Sequence, residues 1–243
     1  MVQLVTGAKS FVDNPILGSP SLNRKGLHVA RLKLAHRLAW ARRRRLTKHL
    51  NAADREAFDH NGFVSLPDFL PADEFEKLRS YLVSNEFEAR EHRQGDTITR
   101  RVPIDDATVA RSKELGNLLD GPRWKALMRY VASTGGEPLY YLQSIVTGLD
   151  GPPDPQVEFH SDAFHPSMKA WLFLTDVSEE SGPLTYVPGS HLLTAARLKW
   201  EQEKSATVAE TGDRLSQRGS FRISREEISR LGLAEPVKFA VPA

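Results

Sequence analysis

His160 and Asp162 stand two apart in the stretch Phe159-His160-Ser161-Asp162. Side chains of an extended backbone alternate faces, so this imidazole and this carboxylate would share one side and can reach a single ion. Two histidines and one carboxylate on one face of a metal, with the opposite positions open, form the ligand set of non-haem Fe(II) oxygenases. The pair would supply two of those three ligands. The plainer alternative is a turn in which a satisfied histidine precedes an N-capping aspartate.

The residues that follow describe the scaffold such a pair would need. Lys169 to Asp176, KAWLFLTD, is largely apolar and predicts a buried strand. Ser178 to Gly182 predicts a turn, Pro183 to Val187 a second short strand, and Pro188 to Ser190 another turn. Strand, turn, strand and turn directly after the pair suit a small antiparallel barrel with a metal at its mouth.

These motifs carry a family resemblance. H-x-D, then W-L-F-L-T-D-V-S-E-E-S-G-P-L, then V-P-G-S-H resembles the phytanoyl-CoA dioxygenase family of Fe(II)- and 2-oxoglutarate-dependent oxygenases. Phe58 to Leu82, FDHNGFVSLPDFLPADEFEKLRSYL, is similar to that family's opening segment, and the resemblance spans roughly residues 55–243. It implies a mainly β fold with flanking helices, a double-stranded β-helix of the jelly-roll or cupin-like kind. It also implies Fe(II) and 2-oxoglutarate as cofactors, O2 as co-substrate, and His160 and Asp162 as metal ligands.

For the co-substrate, the resemblance matches Arg100 on the strand Thr97 to Pro103 and Trp171 after the H-x-D pair. Tyr141 and Gln143, alternate residues of a strand predicted over Leu139 to Val146, would face the same cavity. His165 lies too close to Asp162 to match the family's second histidine, and His191 reads as a structural residue or one lining the cavity mouth. The third ligand, a histidine, and the arginine that would pair with 2-oxoglutarate have no match in this sequence. The expectation is a barrel truncated at the C-terminus, with weak or no turnover. Because halogenating relatives replace the carboxylate ligand, Asp162 favours hydroxylation of a small-molecule or lipid- or glycan-type substrate. The competing class is a non-catalytic β-barrel that binds a small ligand or a partner.

With 243 residues and no cysteine, disulfide frameworks and thiolate metal sites are excluded. No apolar run approaches the roughly 20 residues of a membrane span, and the start lacks the pattern of a secretory signal. The expected location is the cytoplasm. The net charge of +2 is unevenly spread: residues 14–53 hold ten Lys or Arg and no acid, leaving 23 basic against 31 acidic residues elsewhere. Residues 1–53 therefore divide off as a basic leader and amphipathic helix, and 54–243 as the oxygenase-like domain.

Within the arm, residues 1–23 predict a loose leader and 24–50 a helix whose Leu27, Ala30, Leu34, Leu38 and Ala41 line one face. That helix would pack its leucines on the acidic body, or meet a membrane surface or partner with Trp40 as an interfacial anchor. Nucleic acid is not expected, because no recognised module accompanies the charge. Further on, the patterns predict a helix over 54–60, a short strand over 63–66 and a helix over 71–85. They then predict a surface excursion over 86–95, two helices over 105–134 divided at Gly121-Pro122, short helices within 192–235 and a strand from Val237.

Overall fold

The computed structural model describes residues 7–241. Its ten α-helices and two small sheets are arranged around two apolar clusters. In chain order the helices are α1 (Pro20–Arg24), α2 (Leu27–Leu46), α3 (Ala52–Asn61), α4 (Ala72–Ser84), α5 (Asp106–Ala110), α6 (Lys113–Asp120), α7 (Pro122–Ala132), α8 (Ala195–Thr207), α9 (Arg214–Gln217) and α10 (Arg225–Arg230). The strands are β1 (Arg90–Gln94), β2 (Thr97–Pro103), β3 (Tyr141–Val146), β4 (Thr185–Tyr186) and β5 (Val237–Lys238). The expected mainly β character is not confirmed, since helices dominate the described residues.

Local chemistry explains most boundaries. Asn51 Oδ1 accepts from the Asp54 amide at 2.7 Å and opens α3, which Gly62 closes with φ +85°. Ser112 accepts from the Leu115 amide and starts a separate helix, so the first of the two helices expected over 105–134 is split into α5 and α6. Ser224 and Glu227 form a capping box at α10.

One apolar cluster, Leu78, Leu82, Leu115 and Leu118, joins α4 to α6 and takes in Leu142 of β3 together with Leu172 and Leu174. The other gathers Phe11, Trp200, Val208 and Phe221. Phe11 and Leu17 are buried, and the Phe11 amide donates to Gln217 O at 2.8 Å. The leader from residue 7 on is thus packed into the body, because its apolar side chains find an aromatic cluster; residues 1–6 of the expected loose leader lie outside the described residues.

Three strand expectations change. Residues 86–95 contain β1, which forms a hairpin with β2 across the two-residue turn Gly95-Asp96, where Gly95 has φ +59°. Phe63 to Leu66 and Lys169 to Asp176 join no ladder among the described residues. An apolar run becomes a strand only where a neighbouring backbone pairs with it, and Leu172 and Leu174 instead meet the helical cluster as irregular chain. The strand from Val237 is present as β5, paired antiparallel with β4.

The α2 face is also reversed. The buried side carries His28, Val29, Arg31, Leu32, His36, Ala39 and Arg43, whereas Leu34 and Leu38 are each 48% exposed. Specific polar contacts turn the helix this way. Arg43 donates to Tyr130 O (3.1 Å) and Val131 O (2.7 Å) and Arg42 to Ser133 O (2.8 Å), so two arginines satisfy the carbonyl end of α7. At the other end His28 Nε2 meets Glu201 Oε2 of α8 at 2.9 Å, and Arg197 holds the same carboxylate. Burial raises the Glu201 carboxyl, and His28 with Arg197 outweighs it, so this carboxyl lies below its usual range.

Candidate metal centre

The His160 segment is held by its antiparallel neighbour. The Ser161 amide donates to Phe221 O at 3.1 Å and the Ile223 amide to Phe159 O at 2.9 Å, placing Arg222 opposite His160. Phe221 in turn sits in the cluster with Phe11 and Trp200. The pairing segment comes from the stretch expected to hold short helices, so the core around Phe221 positions the H-x-D backbone.

Within that frame His160 and Asp162 converge. The Glu158 carbonyl, an acceptor only, lies 2.7 Å from His160 Nδ1, so Nδ1 is the donor and, in the neutral ring, the lone pair is on Nε2. Nε2 faces Asp162 Oδ1 at 3.8 Å. That separation admits one ion bound to both at roughly 2.0–2.2 Å. The backbone carbonyl orienting the histidine through its other nitrogen is the usual outer partner of a metal-ligating imidazole.

The surroundings of Asp162 are positive. Lys169 Nζ lies 2.8 Å from Oδ2, and Lys9 Nζ donates to the Asp162 backbone carbonyl at 2.6 Å. Burial raises the Asp162 carboxyl; Lys169, His160 and Lys9 outweigh it and hold the group below its usual range. Arg222 adds a further cation whose Nε is 3.6 Å from Glu158 Oε2, an ion pair too long to be a hydrogen bond. Burial lowers the guanidinium, while Asp213, Glu158, Asp162 and Asp154 oppose that effect. Neither Lys9 nor Arg222 stood out in the sequence; both arrive through long-range packing.

Among the described residues no third His, Cys, Asp or Glu joins the pair in a group able to hold a metal. His165 Nδ1 lies 3.3 Å from Pro166 O. His191 is packed against Phe58 and Trp40, with ring centroids at 5.5 and 6.4 Å, and both of its ring nitrogens are buried.

The expected co-substrate residues are divided by the sheet register. Arg101 is opposite Gln143 and Pro103 opposite Tyr141, so these share one face, and Arg101 Nε donates to Gln143 Oε1 at 2.9 Å. Arg100 is on the other face with Leu142, which packs against the helices, and it is ion-paired with Glu91. Arg101, one residue from the position singled out in the sequence, is therefore the basic residue grouped with Tyr141 and Gln143. A one-residue offset moves a side chain to the opposite face, so Arg100 and Arg101 lie on opposite sides of β2. Trp171 is 46% exposed. No hydrogen bond, ion pair or ring contact joins Arg100, Tyr141, Gln143 or Trp171 to His160 or Asp162 among the described residues.

The order of motifs and the paired His160 and Asp162 define a class that comparison with known proteins bears out. The chain belongs to the phytanoyl-CoA dioxygenase family, whose model matches residues 58–221. It is similar to the ectoine dioxygenase of Halomonas elongata, with 30% identity over 157 residues, 58% of this chain and 46% of that protein. The chain spans about half the length of the curated relative it matches. No solved structure matches it. No helix among the described residues is long and apolar enough to cross a membrane.

Proposed function

We propose that this chain carries the iron-binding half of an Fe(II)- and 2-oxoglutarate-dependent hydroxylase acting on a small-molecule or lipid- or glycan-type substrate. The observation that carries the reading is the convergence of His160 Nε2 and Asp162 Oδ1 at 3.8 Å, with the histidine tautomer fixed by Glu158 O. Family membership supports it. In this reading His160 and Asp162 are two of three protein ligands, and a histidine not found beside them completes the set.

When loaded, such a centre supplies O2 activation coupled to decarboxylation of 2-oxoglutarate. The chain's own residues do three things for it. Glu158 O keeps the proton on Nδ1, leaving Nε2 to bind. Lys169 engages Oδ2, so Asp162 offers Oδ1 alone, a one-oxygen mode that leaves coordination positions open. Lys169 and Lys9 offset the charge of Asp162, while Arg222 is itself faced by Asp213, Glu158 and Asp154 as well as Asp162. The double-stranded β-helix of the family, as the frame around this pair, is part of the same proposal.

The test is anaerobic titration of the 243-residue chain with Fe(II) or Co(II), with and without 2-oxoglutarate, followed by succinate measurement in air. Uptake is expected to weaken at least about tenfold in His160→Ala and in Asp162→Ala, and to tighten with 2-oxoglutarate. Uptake indifferent to both substitutions would overturn the assignment. No uptake at all would favour the ligand-binding module instead. Succinate is expected to be low, because two ligands leave the geometry undefined.

A further inference from the structure

The outward face of α2 is unusual for a helix docked on a folded body, because two of its leucines, Leu34 and Leu38, point away from the core. Ala30, Lys33, Leu34, Arg37, Leu38, Arg44 and Arg45 are all exposed, and spacings of three, four and seven place them along one side of the helix. Leu34 and Leu38 lie one turn apart at 48% exposure each. Lys33, Arg37, Arg44 and Arg45 form no ion pair among the described residues, and the whole stretch from Asn14 to Ala53 contains no acid to neutralise them. The contacts that seat the helix, at Arg43, Arg42 and His28, are made from its other sides, so this face is free while the helix stays docked.

From this we infer that α2 is a peripheral docking face for an anionic lipid surface, lying flat in the interface with Lys33, Arg37, Arg44 and Arg45 on headgroup phosphates and Leu34 and Leu38 below them. Charge complementarity names the sign of the partner, and the leucines select a bilayer. A nucleic-acid backbone offers phosphates but nothing to reward two half-exposed leucines interleaved with the cations. Trp40 is not part of this contact. It packs inward, 6.4 Å from Phe58 and under Arg43 at 4.7 Å, so the expected aromatic anchor is replaced by Leu34 and Leu38. The proposal is independent of the metal site.

Sedimentation of the full chain with sonicated vesicles tests it, comparing vesicles rich in phosphatidylglycerol with pure phosphatidylcholine at low and high salt. Binding is expected only to the anionic vesicles and should fall steeply with salt. Arg37→Glu with Arg44→Glu is expected to weaken it about tenfold or more. Leu34→Gln with Leu38→Gln should weaken it severalfold while leaving the far-ultraviolet circular dichroism and melting unchanged, since neither leucine is in the core. Absence of binding to anionic vesicles at low salt overturns the proposal. So does binding that ignores the leucine changes and is competed by a short DNA duplex, which would identify a general polyanion site.

Discussion

Acid should loosen the seat of the basic helix well before it reaches the carboxylates. His36 and His191 are both held down to about 4 by burial, with the positive charge of Arg197 and Arg43 acting in the same direction on each; Glu201 opposes this at His36 and Asp59 at His191. A histidine whose folded value is depressed takes up its proton more readily in the unfolded chain. Stability is therefore full above an unfolded value of about 6.5 and is lost as pH falls toward about 4. Between about pH 7 and about pH 5 each group costs roughly 1–2 kcal/mol, or about 2–4 kcal/mol together. Against a typical total of 5–15 kcal/mol this is a large fraction. Urea unfolding followed by Trp fluorescence at the two pH values should show the midpoint dropping accordingly. His36→Gln and His191→Gln should each remove about half of the pH slope, whatever they do to stability at neutral pH. A midpoint that does not move over this range, or slopes unchanged in both variants, would refute the argument.

Two further outcomes follow from the same region. Gly62→Ala places a Cβ 2.5 Å from both His191 Nδ1 and Tyr186 Oη at a residue with φ +85°, so strain and overpacking should cost about 2–4 kcal/mol; a denaturation midpoint within error of wild type would contradict this packing. Arg43→Ala removes two hydrogen bonds to the carbonyl end of α7 and the stacking over Trp40 and Phe58, with an expected loss of about 2–4 kcal/mol. Arg43→Lys should recover less than half of it, because one ammonium cannot span both carbonyls; full recovery would show that charge alone matters.

Several features were legible in the residues themselves because their causes are local. Asn51 and Gly62 bracket α3, the apolar steps of 71–85 give α4, and the β-prone run Thr97 to Pro103 gives β2. The H-x-D spacing and the order of motifs after it were enough to place the chain in its family. The hairpin turn Gly95-Asp96 was also written there, masked by the charged run before it.

What the sequence left open were choices that depend on a distant partner. Whether Lys169 to Asp176 becomes a strand is decided by which backbone lies alongside, and Leu172 and Leu174 found helices. Whether Arg100 or Arg101 joins Gln143 is decided by register, a property of two strands and not of one. The face of α2 was decided by the open carbonyls of α7 and the Glu201 carboxylate, whose demand for Arg43 and His28 outweighs the burial of two leucines. The cationic setting of Asp162 by Lys9, 153 residues away in sequence, likewise exists only once the chain is folded, because electrostatic neighbours are set by distance in space and periodicity reports only distance along the chain.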